Sequence, residues 1–227
     1  ATSMTSRELA AALGPAVLGR TAAAAHAPIL AYHLDRRDPG CGLTTGLVRP
    51  LVRELARHPD QRVTWTDRWQ PAPASDAHGL DRALSQFPRL GVPGVAFIHP
   101  LLMQVDAAGI ADEHLGPLLG PAGIESSRTV MRVAARSMLE DDPSHAPYGW
   151  THCLTLAQAL LGTTAGTEHA SGGLALAATS DAAFRAALSA TDLTLDRPWP
   201  IGAGSHAVDQ LATAAACSHD AHVVKYV

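Results

Sequence analysis

The sequence predicts an all-α protein, read as one compact multi-helix domain over residues 1–227. Three observations lead there. Alanine and leucine dominate and runs of β-branched residues are rare, which favours helix over strand. Of the 227 residues 47% are hydrophobic, enough to bury a proper core. The Pro-, Ala- and Gly-rich stretches are short loops rather than flexible linkers, and neither an internal repeat nor a heptad seam divides the chain.

In order, the apolar spacing predicts helices at about 6–13, 16–36, 45–58, 78–88, 97–108, 112–119, 127–140, 149–161, 173–190 and 205–226. Ser127, Ser205 and either Thr44 or Thr45 are candidate N-caps. Pro15, Pro50 and Pro100 fit first-turn positions or kinks. "RVTWTDRW", from Arg62 to Trp69, alternates like a short strand but has no evident partner, so an extended loop serves equally. "QPAPASDAHG" (Gln70 to Gly79) and "LTLDRPWPIGAG" (Leu193 to Gly204) read as loops.

Composition removes several classes of function. Net charge is -4 and no basic stretch exceeds Arg36-Arg37, which disfavours a nucleic-acid partner. Apolar runs are broken by Pro, Gly or His, so none is expected to span a membrane. "ATSMTSREL" lacks the charged and apolar regions of a signal peptide. Cys41, Cys153 and Cys217 are far apart and odd in number, which points to a reducing cytoplasm rather than a disulfide frame or zinc ribbon. Lys225 is the only lysine, against 16 arginines, a bias that reflects a GC-rich genome.

The histidines are the informative excess: 12, against three Phe and three Tyr. Imidazole titrates near neutrality and is the commonest metal ligand. With about 100° per residue, His219 and His222 share the stripe of the last helix with Val208, Leu211, Ala215 and Tyr226. Lys225 lies on the shoulder of that stripe, Asp220 points elsewhere and His206 lies on the outer face. In "TAAAAHAPILAYHLDRR" His26 and His33 share a face with Ile29 and Leu30. In "YGWTHCLTLAQALLG" His152 borders an apolar arc of Trp150, Cys153, Leu154, Leu156, Ala157, Leu160 and Leu161. Five histidines on three helices are thus expected to face inward, lining a pocket. A lone inward imidazole is ordinary core; several need partners, since each unsatisfied one costs about 1–3 kcal/mol.

Common motifs are absent. There is no Glu-x-x-His pair for a di-iron bundle, no His-Glu-x-x-His and no Gly-x-Ser-x-Gly elbow. The only lysine cannot complete a P-loop, and "GAGSHA" lacks the third glycine and the preceding strand of a dinucleotide loop. His219-Asp220 resembles the middle of a metal-phosphohydrolase pattern, but no acidic residue follows.

Four motifs in order, "HAPIL" (His26 to Leu30), "AFIHPLLM" (Ala96 to Met103), "THCLTLAQAL" (Thr151 to Leu160) and "DAHVVKYV" (Asp220 to Val227), resemble the questin oxidase-like family. Those are helical proteins that include fungal enzymes opening an anthraquinone ring by Baeyer–Villiger-type oxygen insertion. The matching positions are His26, Pro28, His99, Pro100, Leu101, His152, Thr155, Asp220, His222 and Lys225. Ala25 stands where the family typically has Asn, and Met103 where it has Arg.

The resemblance implies an oxygenase-type oxidoreductase acting on a small aromatic or polyketide-like molecule, with NADPH as reductant and no Rossmann unit to hold it. His26, His152, His222, His219 and His33 are the candidate metal ligands. By ligand type iron is favoured, with copper or zinc as the other choices. Lys225, His99 and Tyr32 are the candidate catalytic residues, Lys225 to stabilise a developing oxyanion. Leu, Ile, Trp150 and Tyr32 would line the substrate pocket. The alternatives are a metal-dependent hydrolase or lyase on the same scaffold, and a non-catalytic binding protein whose histidines are satisfied core residues.

Overall fold

The computed structural model describes residues 5–20, 22–36, 44–90, 98–140, 148–188 and 192–194. The described residues form an all-α structure without strands, in the order α1 (Ser6–Val17), α2 (Ala22–Asp35), α3 (Thr44–Arg57), α4 (Ala77–Ser85), α5 (Ile98–Ala107), α6 (Ile110–Leu115), α7 (Ile124–Glu140), α8 (Tyr148–Thr164) and α9 (Ala170–Leu188). Two 3-10 turns, Trp65–Asp67 and Gly116–Leu118, stand between α3 and α4 and after α6. The helix expected over 205–226, with its Ser205 cap, lies outside the described residues.

Local chemistry sets the ends. Thr5 and Glu8 make a reciprocal capping box at the start of α1, and Asp76 caps α4 by accepting the Gly79 N–H. The break expected at Gly14–Pro15 falls instead after Val17, because Pro15 is accommodated and the chain turns at Gly19, whose φ of +74° is open to glycine. Gly19 then approaches Val63, whose N–H donates to the Gly19 carbonyl at 2.9 Å, and Arg20 forms a single antiparallel bridge with Arg62. That bridge is the partner "RVTWTDRW" lacked in sequence, and the segment is an extended loop closing into the Trp65–Asp67 turn. Ser127 is no cap: α7 begins three residues earlier, after Gly123, whose N–H is accepted by the Ser126 hydroxyl.

α2 carries a backbone irregularity. Ala25, fully buried, has a φ of +58°, a left-handed conformation unusual for any residue but Gly, Asn or Asp. Pro28 supplies a reason. Its ring conflicts with the carbonyl four residues earlier in a regular helix, and the left-handed Ala25 lies between the two. Ala25→Gly is expected to raise stability by up to about 1 kcal/mol, and Ala25→Val to lower it by more than about 2 kcal/mol, in urea melts.

α9 is the hub. Every residue from Gly173 to Ala186 is buried, which a helix achieves only when packed on all sides. It pairs with α8 as an antiparallel hairpin: Gly173 abuts Thr164 at one end and Asp181 meets Cys153 at the other. α4, α5, α6 and α7 also contact it. Alanines and glycines make α9 thin enough for these backbones to approach. A second, smaller apolar cluster of Val17, Ala27, Ala31, Leu34 and Leu51 joins α1, α2 and α3. Ala25 belongs to the main cluster, so α2 bridges the two.

Candidate functional site

α2 and α8 lie side by side and run in the same direction, since they touch at His26 with His152 and again at Tyr32 with Gly162. At the first of these contacts the two imidazole rings stand 5.6 Å apart, centroid to centroid, tilted by 33°. Both side chains are half-buried. Two of the sequence-predicted residues, from different helices, are therefore brought together. His152 stands at the edge of an apolar face whose Cys153, Leu156, Ala157 and Leu160 are buried, in keeping with the wheel.

His99 is the second residue of α5 and also half-buried. Burial, and secondarily the His58 imidazole, lower its pKa, so His99 is neutral at pH 7 and can accept a proton or a hydrogen bond. His33 departs from expectation. It is exposed, its ring edge-on to Tyr32 at 5.5 Å. The buried stripe of α2 runs through Ala27, Ala31 and Leu34, and His33, in the last turn, falls off it.

Of the five histidines expected to line a pocket, the described residues bring together His26 and His152. Among the described residues no three His, Cys, Asp or Glu are grouped to hold a metal ion, and two imidazoles fall short of the three protein ligands usual at a catalytic zinc. The remaining predicted ligands, His219 and His222, and the cation Lys225 lie outside the described residues, as do the side chain of Trp150 and any contact it makes. With no strand among the described residues, none of them builds a Rossmann cradle for a nicotinamide.

Tyr32 lies elsewhere. Six residues beyond His26, about 9 Å further along α2, it borders a cavity of about 640 Å³ between α2, α7 and α8. A Cβ at Gly162 would collide with the Tyr32 ring, so the glycine is what lets the ring lie against α8. The Arg36 guanidinium sits 4.7 Å from the ring centroid and helps hold it. Leu161 and Ile124 line the cavity as well, and among the described residues no histidine does.

A buried polar cluster joins α8 and α9. The Cys153 thiol donates to the Asp181 carboxyl at 2.6 Å, and both are fully buried. Arg185, one turn on from Asp181, donates to the Ser85 carbonyl at 3.0 Å and the Ser137 hydroxyl at 3.4 Å. Burial pushes the Asp181 carboxyl well above the usual carboxylate range, against the opposing pull of the Cys153 hydrogen bond and the Arg185 charge. Burial, then the neighbouring Asp181, keep Cys153 a thiol rather than a thiolate. The signal was present in "ATSDAAFRAAL", an Asp and an Arg four apart inside an apolar helix.

A carboxyl whose folded pKa is raised holds its proton more tightly when folded. Its contribution to stability is complete below the unfolded value, about 4, and is lost as pH rises toward the folded one. Asp181→Asn should therefore flatten the pH dependence, with its advantage over the parent growing from pH 4 to pH 8. Urea midpoints measured across that range check this; parallel curves for the two proteins would contradict it.

No described helix is long and apolar enough to cross a membrane. No protein-family profile, no curated protein and no solved structure matches the chain.

Proposed function

We propose that the protein is an oxygenase-type oxidoreductase acting on a small aromatic or polyketide-like molecule, as the resemblance to the questin oxidase-like family implies. The observation that carries this reading is the pairing of His26 and His152, two histidines from separate motifs whose rings stand 5.6 Å apart. Ala25 adds support: its left-handed backbone is one that asparagine adopts readily, and the family typically has Asn there.

Inserting one atom of O₂ between a carbonyl carbon and its neighbour sends the other atom to water. That requires two electrons and a proton from a reduced nicotinamide plus one further proton. Paired imidazoles can remove a proton from a phenol or enol and deliver one to a departing oxygen. No metal-dependent step is assigned, since the described residues supply only two nitrogens at this place.

The test is NADPH-dependent oxygen uptake with a panel of hydroxylated aromatic ketones. His26→Ala and His152→Ala are each expected to lower kcat by about 10²–10⁴-fold while thermal melting is unchanged. Uptake indifferent to both substitutions, or none with any ketone, overturns the reading.

A non-catalytic binding protein is the second reading, favoured by the cavity beside Tyr32, whose described wall is largely apolar. It predicts ligand binding without oxygen uptake, and histidine variants that alter stability alone.

A further inference from the structure

The cavity between α2, α7 and α8 is within the size range of small-molecule sites. Its wall is apolar on Met131 and Leu161 and on the alanines Ala122, Ala165 and Ala170. The Tyr32 ring forms part of it, held in place by Gly162 and Arg36. Gln158 and Ser127 supply hydrogen-bonding groups. Ile124 also lines it yet is 70% exposed, a large apolar side chain left against water beside an apolar hollow.

Charge decides the class of ligand. Among the described residues Arg128 is the one cation in the wall, and no carboxylate lines it. Arg128 is paired with Glu125 at 2.9 Å, but both side chains are more than two-thirds exposed, and such a pair contributes little and exchanges readily. An entering carboxylate can therefore replace Glu125 on the guanidinium, with both nitrogens of its planar fork available. Met131 and Tyr32 favour a ring over a flexible chain, through sulfur–aromatic and edge contacts.

We propose that this cavity binds a small aromatic monocarboxylate, its ring between Met131, Leu161 and Tyr32 and its carboxylate on Arg128. Gln158 lies six residues, about 9 Å, beyond His152 along α8, so the site stands apart from the histidine pair and does not rest on the oxygenase reading.

The experiment is calorimetric titration of the full chain with 2-naphthoate and with its neutral isostere 2-naphthamide. Naphthoate is expected to bind with Kd below about 1 mM and at least about tenfold tighter than the amide, a preference that weakens with salt. Arg128→Gln should leave melting unchanged and make the two ligands equal. Met131→Trp should obstruct the place of the ring and weaken binding of both at least about tenfold; Ala170→Trp, from another part of the wall, does the same if the first variant fails to fold. His152→Ala should bind naphthoate as the parent does. The proposal is overturned if naphthamide binds as tightly as naphthoate, if the preference survives Arg128→Gln, or if neither ligand binds at millimolar concentration.

Discussion

Arg185→Ala is expected to destabilise the protein by about 3–5 kcal/mol, through the large side chain removed from the packed core and the buried hydrogen bonds lost with it. The side chain is 1% exposed and anchors three helices at once. It rises from α9, donates to the last-turn carbonyl of Ser85 in α4, and reaches the Ser137 hydroxyl in α7. The Ser85 carbonyl also accepts from the backbone N–H of buried Leu193, so the chain beyond α9 is tied to the same point. Without the guanidinium, Asp181 loses the one positive neighbour that opposes its burial. Total stabilities near 5–15 kcal/mol leave little after such a loss. Arg185→Met restores the volume without the donors and should recover only part of it. Urea denaturation of the three proteins separates packing from hydrogen bonding; a loss below about 1 kcal/mol for the alanine variant would show that the network matters little.

Trp65→Ala should cost a similar amount, about 3–5 kcal/mol. The indole is fully buried, its N–H donates to Thr179 of α9 at 3.1 Å, and its ring stands edge-on to Trp69 at 5.7 Å. Its backbone N–H is accepted by Asp106, which also takes the N–H and hydroxyl of Thr64. One carboxylate of α5 thus closes the Trp65–Asp67 turn, and one indole fastens that turn to the hub. Trp65→Phe keeps most of the apolar burial and loses one hydrogen bond, an expected cost of about 1–2 kcal/mol. Thr179 retains its bond to the Ala175 carbonyl in that variant, which keeps the penalty small. Thermal melting of both variants gives the comparison.

Periodicity made the helices legible: α3, α4, α5, α7, α8 and α9 lie within three residues of their expected bounds. Ends were harder wherever a long-range contact decides them. Pro15 reads as a break, yet the turn is set at Gly19 by its approach to Val63, more than forty residues on. Ser127 reads as a cap, yet α7 starts three residues earlier, just after Gly123. At the site, the same wheel that put His26 and His152 on inward faces misplaced His33. It shows which residues share a face and not where a neighbouring helix stops covering them. Cys153 with Asp181 could not be read from spacing at all, because the pair exists only once α8 and α9 are antiparallel.

The position of α9 in the chain has a consequence for how the protein is made. The helix on which α4 to α8 converge is the last described one to be synthesised. At ordinary translation rates of about 5–20 residues per second, the ribosome needs roughly 6–22 s to pass from the start of α4 to the end of α9. Throughout that time the apolar faces that will clasp α9 have nothing to close on. Until its own centre arrives, the growing chain therefore carries apolar surface that can associate with its neighbours.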